Sequence, residues 1–445
     1  MINFSKLDDA FSYLESFTNF EKLPPQSVRD FKLDRMEHLL SLTGDPHKAF
    51  RTYHLAGSKG KGSTAAFLTS ILYRTGEPVG LYTSPHVSSY KERITFSGRQ
   101  FEDGEYLKGI NFLAGIIENL SPDAIAGQWE PTTFELLTLL AFIMFRNAEL
   151  GRAVIETGIG GRLDATNVIS PEAVCITPIE LEHTDILGSS IEKIAREKAG
   201  IIKPRVPVFI GFQENSTAEK VLLENAREKN APVYNCKDEI KELSADPWEK
   251  GTKIRILFRD GFSVTSGIRL LGDFQAENAA LASLCARHVL GNQGLREGEI
   301  QERIHQGLQS AHIPGRMEII SRKPPIILDG AHTPASVKRL TTAFTSVYPG
   351  KCILIFGAVL GKDIKAMAEI IAPAFTHIII SRPGSFKKSD PGGIFEEFLK
   401  FNPETRLCVE PKEALDEALR ISGNELPILA AGSFYMIGEI RKLLV

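Results

Sequence analysis

The sequence predicts an α/β protein built of two units, each a mainly parallel sheet layered with helices. Three observations carry that expectation. Short apolar strands alternate with longer stretches of helical apolar spacing. One early strand runs straight into a glycine-rich turn, His54-Leu-Ala-Gly-Ser-Lys-Gly-Lys-Gly-Ser63, and leaves it as the helical run Thr64–Leu72. The alternation breaks at Pro314-Gly315 and restarts at Pro325. The expected division is a first domain over 1–309, a linker over 310–314 and a second, smaller domain over 315–445. At 445 residues the chain exceeds one typical domain.

Taken in order, residues 5–45 read as helical with a break at Pro24-Pro25, and Asp34–Thr43 forms a helix that packs onto the sheet. Pro78–His86 holds a short strand ending at Thr83-Ser84. A helix over 132–147, a strand Ala153–Glu156, a glycine-rich loop and a strand Ala173–Thr177 follow, which puts polar residues at strand C-terminal ends. Lys253–Phe258 and Phe262–Ser266 form a hairpin turning on Asp260-Gly261. Helices cover Gln275 to about Val289 and about 298–309. In the second unit, strands at 326–328, 352–356, 378–380, 405–409 and 428–430 alternate with helices at 334–346, 363–373, 391–400 and 411–421, and a helix closes the chain. The first unit therefore reads as a P-loop-type domain with a small β-hairpin region. The second reads as a smaller, open, Rossmann-like α/β domain.

Composition excludes several classes. Lys and Arg number 52 against 55 Asp and Glu, a net charge of −3, so no polyanion-binding surface is indicated and nucleic acid is not the expected partner. The N-terminus is acidic and amphipathic rather than signal-like. The densest apolar run, Leu136–Phe145, is broken by Thr138 and is too short to span a membrane. Cysteines 175, 236, 285, 352 and 408 show no C-x-x-C spacing, so they read as reduced residues of a cytoplasmic protein.

In the turn, Gly57, Gly60 and Gly62 let backbone N–H groups approach an anion, and the following helix directs its positive end at the same point. Lys61 adds formal charge, Ser63 a hydroxyl, and Ser58 and Lys59 complete the loop. The pattern departs from strict G-x-x-x-x-G-K-[ST], because Leu55 stands five before Gly60 and Gly62 separates Lys61 from Ser63. It still describes a polyphosphate site.

With these residues in view the chain resembles the folylpolyglutamate synthase and dihydrofolate synthase family, a branch of the Mur ligases. The markers are Leu55–Ser63, Thr83-Ser-Pro-His86, Glu156-Thr-Gly-Ile-Gly-Gly-Arg-Leu-Asp-Ala-Thr-Asn167, Glu182-His-Thr-Asp-Ile-Leu-Gly188, Glu197-Lys-Ala-Gly-Ile201, Gln275-Ala-Glu-Asn-Ala279, Pro314-Gly-Arg316 and Leu328-Asp-Gly-Ala-His-Thr333. The similarity extends to Gly432-Ser-Phe-Tyr435. It implies a monomeric ATP-dependent ligase that activates a folate or dihydropteroate carboxylate as an acyl phosphate and joins L-glutamate to it.

Residue by residue, the resemblance places ATP on the loop Gly57–Ser63 and on Asn278, Arg316 and Asp329. It places two magnesium ions on Ser84, Glu156, His183 and Lys198, the last as a carbamate. Lys61, Glu156, His183 and Lys198 are the implied catalytic set. Thr132, Thr133, Phe134, Glu135, Leu163, Asp164 and Ala165 line the implied pterin-side pocket, and His332 helps bind glutamate. Hard oxygen donors suit magnesium.

Each of these residues also has a plainer role open to it. Glu156 reads equally as an exposed strand-end carboxylate, Lys198 as a solvated helix lysine, and Phe134 as core. Two departures stand out: the family usually has Asp where Glu182 stands, and Thr-Asn where Ser58-Lys59 stand. Lys59 either tightens nucleotide binding or faces solvent. Two rival readings are another Mur-type amino-acid ligase and a non-catalytic ATP-binding switch. Only about 50 residues precede the loop, which argues against a cell-wall Mur enzyme.

Overall fold

The structure is a computed structural model that describes residues 2–20, 33–119, 130–384 and 388–445; Pro24-Pro25 lies outside them. Runs of Val, Ile, Leu and Tyr with both faces covered form the first sheet. Its strands are β1 (Arg51–Ala56), β2 (Val79–Tyr82), β3 (Ile94–Phe96), β4 (Arg99–Gln100), β5 (Arg152–Glu156), β6 (Ala173–Ile176), β7 (Val208–Ile210) and β8 (Val233–Asn235). They lie in the order β4-β3-β2-β5-β1-β6-β7-β8, and only β3 runs against the others, pairing antiparallel with β2 and β4. The crossover after β1 runs to one side and that after β5 to the other. The crevice at the C-terminal ends of β1, β5 and β6 is therefore a topological switch point.

The helix Lys61–Tyr73 that leaves this crevice is buried along almost its whole length, so it carries no polar stripe. One side meets the sheet, and helices Asp273–Asn292 and Glu297–Ser310 cover the other. Gly307 permits that packing, since a Cβ there would stand 2.5 Å from the Ile71 Cα.

On the opposite face, helix Thr133–Asn147 fills the core. The helix Leu33–Leu42 packs on it and on residues 165–168 rather than directly on the sheet. Thr132 and Glu135 cap the start of Thr133–Asn147 reciprocally. The Glu135 carboxylate also accepts from Arg35 Nε at 2.9 and 2.8 Å, with both side chains almost fully buried.

The expected hairpin is present as β10 (Gly251–Phe258) and β11 (Ser263–Ile268), turning through Gly261 at φ +94°. A third strand, β9 (Ile240–Trp248), pairs with the free side of β10. Its alternate residues are exposed and its sequence is polar and contains Pro247, so no apolar period announces it.

The second sheet holds β12 (Glu318–Arg322), β13 (Pro325–Leu328), β14 (Ile353–Phe356), β15 (His377–Ile380), β16 (Thr405–Leu407) and β17 (Ile428–Ala431). The order is β12-β13-β17-β14-β15-β16, and only β12 is antiparallel. Helices on both faces complete a three-layer lobe.

Replacing Glu135 with Ala leaves the Arg35 guanidinium buried without its partner and removes half of the cap. The expected loss is about 3–5 kcal/mol of unfolding free energy, read from urea denaturation followed by circular dichroism.

Candidate active site

β1 delivers the loop to the crevice, and close approach shapes it. Gly57 has φ +149°, and a Cβ there would fall 1.8 Å from the Thr177 hydroxyl at the end of β6. Gly60, at φ +84°, faces the Asn278 amide, and a Cβ would fall 2.1 Å from its Oδ1. Only glycine fits either position. Behind the loop, the Ser58 and Lys59 amides donate to the Pro178 carbonyl at 2.9 and 3.3 Å, and the Ser58 hydroxyl donates to the Glu180 carbonyl at 3.0 Å.

Two ammonium groups converge on one oxygen. Lys61 Nζ and Lys198 Nζ donate to the Gly57 carbonyl at 2.9 and 2.8 Å. Lys198, which the sequence leaves open as a solvated residue, is 1% exposed and pairs with Glu182 at 2.7 Å. Burial pulls its ammonium down to about 8, against the opposite pull of the Glu182 carboxylate. Burial also works against the Glu182 charge, but the Lys198 ammonium overrides it and holds Glu182 at about 2. Next to them His183 sits exposed in the left-handed region at φ +46°, a conformation that non-glycine residues rarely adopt. Lys59 lies half-buried in the cleft wall, and its ammonium has neither hydrogen-bond nor ion-pair partner among the described residues.

Glu156 ends β5 at 3% exposure, which removes the surface-carboxylate alternative. Its Oε2 accepts from the Ser84 amide at 3.1 Å, and its carboxylate faces Gly62. Burial raises its pKa, while Lys61, Arg316 and Arg93 act in the opposite sense from a distance. A buried carboxylate with no ion-pair partner among the described residues, beside a serine, fits a hard divalent cation. Around Glu182 the donors differ, because the Lys198 ammonium already pairs with its carboxylate at 2.7 Å. A second ion fits there only if Lys198 is carbamylated.

Across the linker, Arg316 lies half-buried over the Phe434 ring, 4.3 Å from its centroid. The Asp329 carboxylate accepts from the Met317 and Ala331 amides, both at 2.8 Å. His332 Nδ1 lies 2.7 Å from the Gly330 carbonyl, and burial depresses its pKa to about 4. Lys59, Gly60, Gly62, Ser63, Asn278, Arg316, Asp329 and His332 thus line one cleft of about 880 Å³ between the lobes. A second cleft, of about 910 Å³, contains Ser84 and Glu156 and shares Gly62 and Arg316 with the first.

The residues expected around a pterin lie on the other side of β5. The Thr132 and Glu135 side chains cap their helix, and the Thr133 hydroxyl donates to the carbonyls of Leu14 and Phe17. Asp164 is buried and accepts from the amides of Gly158, Ile159 and Thr166 and from the Thr166 hydroxyl. Ala165 is buried, whereas Phe134 and Leu163 keep some exposed surface. Phe134 lies 5.9 Å from the Tyr82 ring and against Gly158.

Sequence reasoning passed over Pro178, Glu180, Phe274, Gln275 and Arg339 of the cleft wall. Gln275 alone carried a signal, as the start of the Gln275-Ala-Glu-Asn marker, and its Oε1 accepts from the Asn278 amide.

Profiles of two families match the chain: the Mur ligase middle domain over residues 55–286 and the Mur ligase glutamate ligase domain over residues 315–434. The dihydrofolate synthase/folylpolyglutamate synthase of Bacillus subtilis (strain 168) is 31% identical over 99% of this chain and 100% of its own length. The chain belongs to the folylpolyglutamate synthase/dihydrofolate synthase family of Mur ligases.

It spans about half the length of another relative of that family, a probable bifunctional folylpolyglutamate synthase/dihydropteroate synthase of Halobacterium salinarum. That protein is 33% identical over 91% of this chain and 48% of itself. The folylpolyglutamate synthase of Mycobacterium tuberculosis, solved in complex with ADP, superposes with a TM-score of 0.85 at 26% identity, covering 99% of both chains. As a member of this family the chain is an ATP-dependent ligase. No helix among the described residues is long and apolar enough to cross a membrane.

The loop after β5 hangs on a buried relay in which His54 Nε2 meets the Thr166 hydroxyl at 2.8 Å and Thr166 meets Asp164. Burial lowers the His54 pKa from 6.5 to about 3, so the unfolded chain takes up a proton that the folded chain refuses. The stability from this group is complete above pH 6.5 and is lost as pH falls towards 3, by about 1.4 kcal/mol per pH unit. His54→Gln should flatten that limb of the stability–pH curve, as measured by denaturant titration at successive pH values.

Proposed function

We propose that this ligase joins L-glutamate to a folate through an acyl phosphate, with or without the same reaction on dihydropteroate. The observation that carries the reading is the meeting of two clefts at Gly62 and Arg316, with Glu156 directly behind. One cleft has the glycine loop, a free lysine and the Asp329 carboxylate that suit ATP. The other brings an acceptor carboxylate to the same point.

The folate carboxylate attacks the γ-phosphorus of ATP, forming the acyl phosphate and releasing ADP. The glutamate amine then attacks the acyl carbon, phosphate leaves, and an amide remains. Both reactants of the first step are anions, so the work lies in neutralisation and positioning. Loop amides, Lys59, Lys61 and Ser63 hold the phosphates from one lobe and Arg316 from the other. Asp329 accepts from the ribose hydroxyls, and Asn278 stands at the ribose or adenine. His332, neutral and with Nδ1 turned to Gly330, presents Nε2 to the incoming amine.

Ser84 and Glu156 would hold one magnesium ion, and His183 with carbamylated Lys198 a second; when bound, these ions supply charge neutralisation between phosphate and carboxylate. Phe134, Leu163 and the backbone of 163–165 form the pterin-side wall, with Thr132, Thr133, Glu135, Asp164 and Ala165 shaping it from behind. A cytoplasmic monomer is the proposed working form.

The deciding assay follows ADP and amide product with tetrahydrofolate or dihydropteroate, each with and without glutamate. ADP release that ignores folate would return the choice to another Mur-type ligase or an ATP-driven switch.

Glu156→Gln removes one negative charge without changing shape. Turnover should fall roughly a thousandfold, about 4 kcal/mol, while the midpoint for magnesium moves upward. Lys198→Ala should lower turnover about a hundredfold, with partial recovery in added short-chain carboxylic acids. Full activity in Lys198→Ala without them would rule out the carbamate.

A further inference from the structure

The segment that backs the phosphate loop is tied to the opposite lobe. Pro178 and Glu180 accept from Ser58 and Lys59 through their carbonyls, as described above. The Glu180 carboxylate, however, reaches across the cleft. It lies 3.1 Å from the guanidinium of Arg339, on helix Pro334–Val347 of the second lobe. The same guanidinium donates to Glu214 of the first lobe at 2.7 Å, and its charge opposes the upward push of burial on the pKa of Glu277, the neighbour of Asn278. Glu180, Glu277 and Arg339 all line the nucleotide cleft.

The charge balance at this rim is uneven. Two carboxylates of the first lobe, Glu180 and Glu214, pair with one cation supplied by the second lobe. The Arg339–Glu180 pair is thus a charged contact between the second lobe and the segment that backs the loop.

We infer that Arg339 is a positioning residue for the ligase reaction: it pins the second lobe over bound nucleotide and steadies the phosphate loop through Glu180. The inference rests on the ligase reading above. Its consequence is chemical as well as mechanical. A closed cleft keeps water from the acyl phosphate. In a loosened cleft, water adds to the acyl carbon and phosphate leaves, so the free acid and inorganic phosphate return and ATP is spent without an amide. A residue that merely stabilised the fold would not alter that ratio.

The test uses the full-length protein with magnesium and compares wild type with Arg339→Ala, Arg339→Lys and Glu180→Gln. Calorimetry gives the Kd for a non-hydrolysable ATP analogue, and chromatography gives ADP released per amide formed. Arg339→Ala should bind the analogue about tenfold more weakly, and its ADP-to-amide ratio should rise clearly above one. Arg339→Lys should recover part of both, and Glu180→Gln should move both in the direction of Arg339→Ala. An Arg339→Ala protein with Kd within twofold of wild type and a ratio of one overturns the inference. Should Arg339→Ala fail to fold, the lysine and Glu180 variants decide on the same two readouts. If wild type forms no amide, the ligase reading fails, and the analogue Kd alone then judges the Arg339 contact.

Discussion

The site depends on how closely β1 lets its loop approach β6 and helix Asp273–Asn292. At Gly57 and Gly60 there is no room for a side chain, because Thr177 and Asn278 already occupy it. That contact does two things together. It sets the Ser58 and Lys59 amides against the Pro178 carbonyl, and it leaves the Gly57 carbonyl accepting from Lys61 and Lys198. Two cations on one neutral oxygen form an arrangement that asks for negative charge, and Glu182 supplies only one unit of it.

Charge burial follows the same logic throughout the crevice. Glu156 and Asp329 are buried carboxylates held by backbone amides rather than by ion pairs, so each keeps lone pairs for a ligand. Asp164 is buried too, but its oxygens are taken up by three amides and a hydroxyl. That comparison separates a carboxylate poised for chemistry from one that organises a loop, although all three are buried. Placing the reactive groups on two lobes lets a single ligand gather them. The wide rim between the lobes is where the Glu180, Glu214 and Arg339 contacts lie.

Much of this was legible without coordinates. The parallel alternation, the hairpin on Asp260-Gly261 and the second lobe's strand sequence follow from buried runs of Ile, Val and Leu whose period is unambiguous. Strands β3, β4, β7, β8 and β12 were not, being two to five residues long or lying at a sheet edge. β9 was hidden for a different reason, since one of its faces is solvent and its residues are those of a loop.

By itself, the sequence determined the glycine loop, the marker residues that convert it into a ligase site, and the sign of each charge brought there. Those depend on local backbone demands and on residue chemistry, which neighbours in the chain already express. Only the tertiary structure decided that Glu156 and Lys198 are buried, that Lys61 turns back onto Gly57 while Lys59 faces the cleft, and that Arg339 answers Glu180. Burial and ion pairing depend on which surfaces meet across some 16 to 160 residues of chain, and no local pattern encodes that meeting.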